Sequence, residues 1–146
     1  MSESTKLRFH KNRRSVWARL PFVDRQEAKS GYCSWAIPRH GGYFGGCEAG
    51  KALAMIYLKH LRENGRGLGG GLQYVVLDMC NLGFSTRKLT EQENALKGQI
   101  VGFFCLLEDW LAAAVKLGGQ NLDKVENAKL LKQANQWLSV QDKTRR

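Results

Sequence analysis

The sequence predicts an α+β fold: a small antiparallel or mixed sheet from the N-terminal half, packed against three helices, the last two a helical hairpin. Three observations lead there. Short β-rich or alternating runs crowd the first 40 residues. A glycine-rich stretch feeds a helical pattern near the middle. From Thr90 onward, apolar residues recur at helical spacing. The chain has 146 residues, 43% of them hydrophobic, which suits one domain with a real core.

In chain order, residues 1–14 read as a basic, flexible arm, too polar to pack. "KLRFH" and "SVWARLPFV" alternate as strands do, and "GYCSWAIP" (31–38) is a third strand, stopped by Pro38. Leu53, Ile56, Tyr57, His60 and Leu61 then mark a helix that ends at Gly65. The glycines of 65–71 predict a flexible loop, and "LQYVVLDMC" predicts a strand over about 73–80. Thr90 with Glu93 three residues later is a capping box that opens a helix over about 91–117. Leu96, Ile100, Phe103, Phe104, Leu107 and Leu111 give it one apolar face, and Cys105 among them reads as a small buried hydrophobe. Gly118 and Gly119 end it. Asp123 with Glu126 caps a last helix over about 124–139. Residues 15–140 thus form one domain, followed by a frayed basic tail, 141–146.

The net charge of +10 is unevenly placed. Residues 1–71 hold 13 Lys/Arg and 5 Asp/Glu, a net of +8; residues 72–146 hold 10 and 8, a net of +2. An excess of that size sets up a positive field that attracts polyanions, and nucleic acid is the commonest one in a cytoplasm. The polar, basic N-terminus has no apolar stretch behind it, so a secretory signal is not expected. No run of 18 apolar residues suggests a membrane span. Four cysteines without close pairing then read as reduced thiols of a cytoplasmic protein. Their spacing to the histidines contains no metal knuckle, so neither a metal nor a cofactor is expected.

One local pattern carries chemistry. "GGCEAGKA" (45–52) resembles the phosphate loop of P-loop nucleotide triphosphatases over its first seven positions. The resemblance implies that Lys51 reaches the outer phosphates and that Asp78, at the end of "YVVLD", coordinates the metal. The departures are physical. Ala52 lacks the hydroxyl that ligates magnesium, and Glu48 brings a carboxylate to the phosphates. The chain is also too short in βα units for a doubly wound sheet. The expectation is therefore a glycine turn at Gly45, Gly46 and Gly50, whose following helix start joins Arg39, His40 and Lys51 in gripping a backbone phosphate.

Basic and aromatic residues interleave through the first 44 positions, as single-stranded nucleic acid requires: rings stack on bases while cations track phosphates. Trp17 and Trp35 sit in strand-like runs and read as core. The expected nucleic-acid contacts are Arg8, Lys11, Arg13, Arg14 and Arg19 from the first segment, with Arg39 and Lys51 around the helix start. Tyr43 and Phe44 are the expected stacking rings. The sequence reading is thus a non-enzymatic nucleic-acid-binding accessory protein, of a kind that suits a phage or mobile element. Its rival is an adaptor or inhibitor docking on an acidic protein, with the C-terminal helices as a partner or homodimer surface. A P-loop-like nucleotide binder is the remote third reading.

Overall fold

Four helices and one two-stranded sheet make up the computed structural model, which describes residues 6–26, 31–67, 70–81 and 90–140. The strands are minimal. β1 (Asp24–Arg25) pairs antiparallel with β2 (Tyr32–Cys33), Asp24 opposite Cys33 and Arg25 opposite Tyr32. The helices are α1 (Gly42–Asn64), α2 (Leu72–Asn81), α3 (Glu91–Gly118) and α4 (Asn127–Leu138). The chain divides into two compact units, Met1–Glu108 and Asp109–Arg146, where the sequence suggested one domain over 15–140.

Three expected strands are something else. "KLRFH" (6–10) has no regular structure at all. "SVWARLPFV" forms a short 3-10 turn at Trp17–Arg19 and then an irregular extended segment. "LQYVVLDMC" is the helix α2. Its β-branched residues suggested a strand, but Val75 and Met79 lie four apart and are both buried, while Tyr74, Val76 and Leu77 are exposed. That is the period of a helix. Asp78, read as a metal ligand, instead accepts a 2.6 Å hydrogen bond from the Ser34 amide.

The glycine-rich stretch is also helix. α1 begins at Gly42, behind Gly41 at φ 89°, so Gly45, Gly46 and Gly50 lie inside it and no phosphate loop forms. The amide of Gly45 already donates to the Gly41 carbonyl. What the glycines do is visible on α3. A Cβ at Gly46 would land on the Ala95 carbonyl oxygen, and one at Gly50 on that of Gln99. The relation is mutual: a Cβ at Gly98 would strike the Tyr43 carbonyl, and one at Gly102 the Cys47 carbonyl. Two glycines four apart on each helix thus let the backbones of α1 and α3 touch. Gly45 faces open space.

Around this contact lies the core. Leu53, Ala54 and Tyr57 of α1 meet Leu96 and Phe103 of α3, Val75 and Met79 of α2, and Phe22, Val23, Trp35 and Ile37 from the irregular segments. Trp35 is buried, as its sequence context suggested. Its ring packs edge-on against Phe103, with centroids 5.2 Å apart, and tilted against Phe22 at 5.8 Å. Gln99, almost wholly buried, ties the extended segment to α3. Its side chain accepts a 3.1 Å hydrogen bond from Trp35 Nε1 and donates a 3.0 Å bond to the Pro38 carbonyl.

The α3 start matches expectation: Thr90 Oγ1 accepts from the Glu93 amide at 3.1 Å. Cys105 does not, being exposed, because the buried face of α3 runs through Leu96, Gln99 and Phe103 instead. The Gly119 amide donates to the Val115 carbonyl, and a 3-10 turn, Gln120–Lys124, leads towards α4. Among the described residues no helix is long and apolar enough to cross a membrane.

Two paired outcomes check this packing by urea unfolding. Gly45→Ala should stabilise by about 0.5–1 kcal/mol, since a helix-interior alanine restricts the unfolded chain and meets nothing here. Gly50→Ala should destabilise by roughly 1–3 kcal/mol or more, because its methyl strikes backbone that no rotamer change can move aside. In the core, Gln99→Leu keeps the volume but strands the Trp35 N–H and the Pro38 carbonyl. A loss of roughly 1–3 kcal/mol per stranded group is expected.

Candidate functional site

The segment from Phe9 to Leu20 lies against the C-terminal half of α1 through Trp17, and arginines tie the segment's own turns together. The Arg13 guanidinium donates to the Ala18 carbonyl at 3.0 Å, the Val23 carbonyl at 2.9 Å and the Asp24 carboxylate at 2.7 Å. Arg19 donates to the Arg13 carbonyl at 2.7 Å, and the Arg19 carbonyl accepts from the His10 amide at 2.8 Å. Residues 10–14, read as part of a flexible arm, are therefore tied to the unit. Residues 1–5 and the tail 141–146 lie outside the described residues.

Trp17 anchors this arc. Its ring stands edge-on to Phe22, Tyr57 and His60, and its Nε1 donates to Ser34 Oγ at 3.2 Å. The other side of the ring lies against Gly71, where a Cβ would overlap it. The glycine at 71 is thus needed for close approach, and the loop reaches it through Gly65, Gly67 and Gly70, all at positive φ.

Between arc and helix runs a groove made of two recesses. The first, about 420 Å³, is lined by Phe9, Val16, Arg19, Leu20, Ile56, Lys59, His60, Glu63 and Asn64. The second, about 450 Å³, is lined by Ser15, Trp17, Arg66, Tyr74 and glycines of the 65–71 loop. Val16, His60 and Asn64 border both, so the two recesses adjoin. Arg19, Lys59 and Arg66 against Glu63 leave the lining with a net charge of +2. The groove lies at the negative end of the α1 dipole, worth about half a charge, which Lys59, Arg62 and Arg66 outweigh. Phe9 and Tyr74 are about half exposed and present ring surface to solvent.

The nine expected contact residues are not brought together. Arg19 lines the groove. Arg8, Lys11 and Arg14 are exposed on the neighbouring chain, whereas the guanidinium of Arg13 turns into the fold with its side chain 17% exposed. Tyr43 and Phe44 belong to the first turn of α1, Arg39 precedes it, and Lys51 lies near its middle, all outside the groove lining. Tyr43 and His60 are 17 residues apart on that helix, about 25 Å at its ordinary rise. Tyr43 and Phe44 are exposed there, as a stacking role would need, but Lys51 pairs with Glu48 at 3.4 Å. The expected grip by Arg39, His40 and Lys51 does not form, because Lys51 sits nine residues along the helix instead of beside its first amides. Lys59, His60, Arg66 and Tyr74 escaped the sequence reading. Lys59 and His60 were hidden inside a helical stripe, and Tyr74 inside a supposed strand.

Among the described residues no cluster of His, Cys, Asp and Glu could hold a metal ion. No family model, curated protein or solved structure matches the chain.

Two histidines give the unit a pH dependence. Burial lowers the pKa of His60 from its ordinary 6.5, with Glu63 pulling weakly the other way. His10 is lowered by desolvation, then by Arg13, against Asp24. Each is neutral in the fold at a pH where the unfolded chain takes up a proton. Their contribution is therefore present above about pH 6.5 and lost as pH falls through the lower folded values. The melting temperature should fall between pH 7.5 and pH 5, and His60→Gln should flatten that fall. Asp24 acts further down the scale. Desolvation opposes its ionisation, but hydrogen bonds from Arg13 and the Arg25 amide prevail and hold its carboxyl below the usual 3.8.

Proposed function

We propose that the N-terminal unit binds single-stranded nucleic acid along the groove between residues 9–20 and the C-terminal half of α1. The observation that carries this reading is the composition of the groove: cations at Arg19, Lys59 and Arg66 beside open ring surface at Phe9 and Tyr74. Cations follow the phosphates, while rings and apolar floor take unstacked bases. A duplex keeps its base faces stacked inside and offers only phosphates and base edges, so the ring surface would go unused. Arg8, Lys11 and Arg14, exposed on the adjoining chain, extend the positive track. Arg13 is reassigned from contact to support, since its guanidinium already serves Ala18, Val23 and Asp24. Glu63 opposes phosphate at one point of the lining and favours a path on the Lys59 side.

Titration of a fluorescent single-stranded oligonucleotide tests this. Tyr74→Ala should weaken binding by roughly 1–3 kcal/mol if its ring stacks on a base. Lys59→Ala should reduce the log–log salt slope by about 0.7, the release expected for one single-strand phosphate contact. Lys51→Ala, near the middle of α1 and eight residues or about 12 Å before Lys59, lies outside the groove lining and should leave both affinity and slope unchanged. Absence of binding at low salt, or equal loss from Lys51→Ala and Lys59→Ala, overturns the reading. Capture of an acidic protein by nuclease-treated material that binds no oligonucleotide would favour the adaptor instead.

A further inference from the structure

The second unit, Asp109–Arg146, has no described residue that is buried. Its sequence is not that of a solvated helix pair. From Trp110 to Leu117 all but Lys116 are apolar, a pattern that runs right round the helix and belongs to buried helices. On α4, Leu130, Leu131, Ala134, Trp137 and Leu138 form one stripe at helical spacing, and all are exposed. Leu117, Trp137 and Leu138 are each more than 70% exposed.

We infer that this unit is the site of homodimerisation, its apolar surface covered by the same unit of a second copy of the chain. A piece of fewer than about 40 residues rarely holds a fold without a disulfide, a metal or association. Residues 109–146 contain no cysteine and no histidine, so the first remedy is closed and the commonest metal ligand is missing. Association remains. Eleven large apolar side chains stand exposed between Trp110 and Val140, on the order of 1,000 Å². That exceeds the roughly 800 Å² per partner of a standard interface and the few hundred Å² that a monomer ordinarily exposes. Charge selects the partner. Residues 109–146 carry 7 Lys/Arg against 4 Asp/Glu, but over 109–140, which holds all of the unit's exposed apolar residues, the count is 4 against 3, so that surface neither repels a second copy nor needs an acidic or basic counterpart. An anionic membrane would be met by a one-signed basic face, which these acids interrupt. A two-fold pairing buries the same stripe on both chains and closes the assembly at two.

Sedimentation of nuclease-treated full-length protein over roughly 1–100 μM tests this, because a reversible dimer depends on concentration. The expected mass is twice 16.5 kDa at the upper end. The double variant Leu131→Glu, Leu138→Glu should run as a single chain whose thermal unfolding no longer depends on protein concentration, while the N-terminal unit stays folded, since neither residue is buried within the chain. It should also keep oligonucleotide binding, which separates this outcome from failure of the groove. A wild type that is monomeric throughout overturns the inference. So does a dimer that survives the double variant, an open-ended series of larger species, or a monomer that binds anionic vesicles.

Discussion

The N-terminal unit depends on the contact between Gly46 and Gly50 of α1 and Gly98 and Gly102 of α3. Four glycines inside helices cost about 2–4 kcal/mol against alanine. In return the two backbones touch, and the flanking side chains converge. Leu53, Ala54 and Tyr57 reach Leu96 and Phe103 only because nothing stands between the helices one turn earlier. The same contact brings Gln99 alongside Gly50, where its amide can bind both Trp35 and Pro38. A sheet of two-residue strands supplies little order by itself, so the extended segment takes its course from that glutamine and from the Trp35 ring.

Order is then passed outward to the groove. Trp35 holds Phe22, and Phe22 meets the edge of Trp17. Trp17 in turn fixes one wall against Tyr57, His60 and Gly71. Arg13 and Arg19 close the arc with bonds to backbone carbonyls, so two residues of a basic sequence act as struts. Arg19 does both, bonding backbone and lining the first recess. Its removal would mix structural and binding effects, whereas Lys59 and Tyr74 report on binding alone.

How much of this the sequence disclosed follows from the range of the interactions. The capping box of Thr90 and Glu93, the end of α1 at Gly65 and the bounds of α3 are local, and each was legible. The α2 helix was not, because its β-branched run matched a strand and only burial reveals Val75 and Met79 as one face. The glycines of 45–50 misled for a related reason. Glycine marks either a turn or a close approach, and the partner that decides, Gly98 and Gly102, lies some 50 residues away. Of the residues expected to make contact, Arg19 lines the groove; Lys59 and Tyr74 could be placed there only once the arc was seen to lie on α1.

The two units divide the physical character of the chain. Residues 1–108 carry 16 Lys/Arg against 9 Asp/Glu and already have a buried core. Residues 109–146 carry 7 against 4, and those from Trp110 to Val140 expose their apolar side chains. Charge in the first and bare hydrocarbon in the second are different means of attraction. The first weakens with salt; the second does not. If the second unit joins two copies, each assembly carries two grooves. A strand that occupies one groove then meets the other at an effective concentration set by the linkage, provided it is long enough to span both. Short oligonucleotides should therefore bind dimer and monomeric variant alike, while long ones should favour the dimer. That length dependence distinguishes coupled grooves from a pairing surface unrelated to binding.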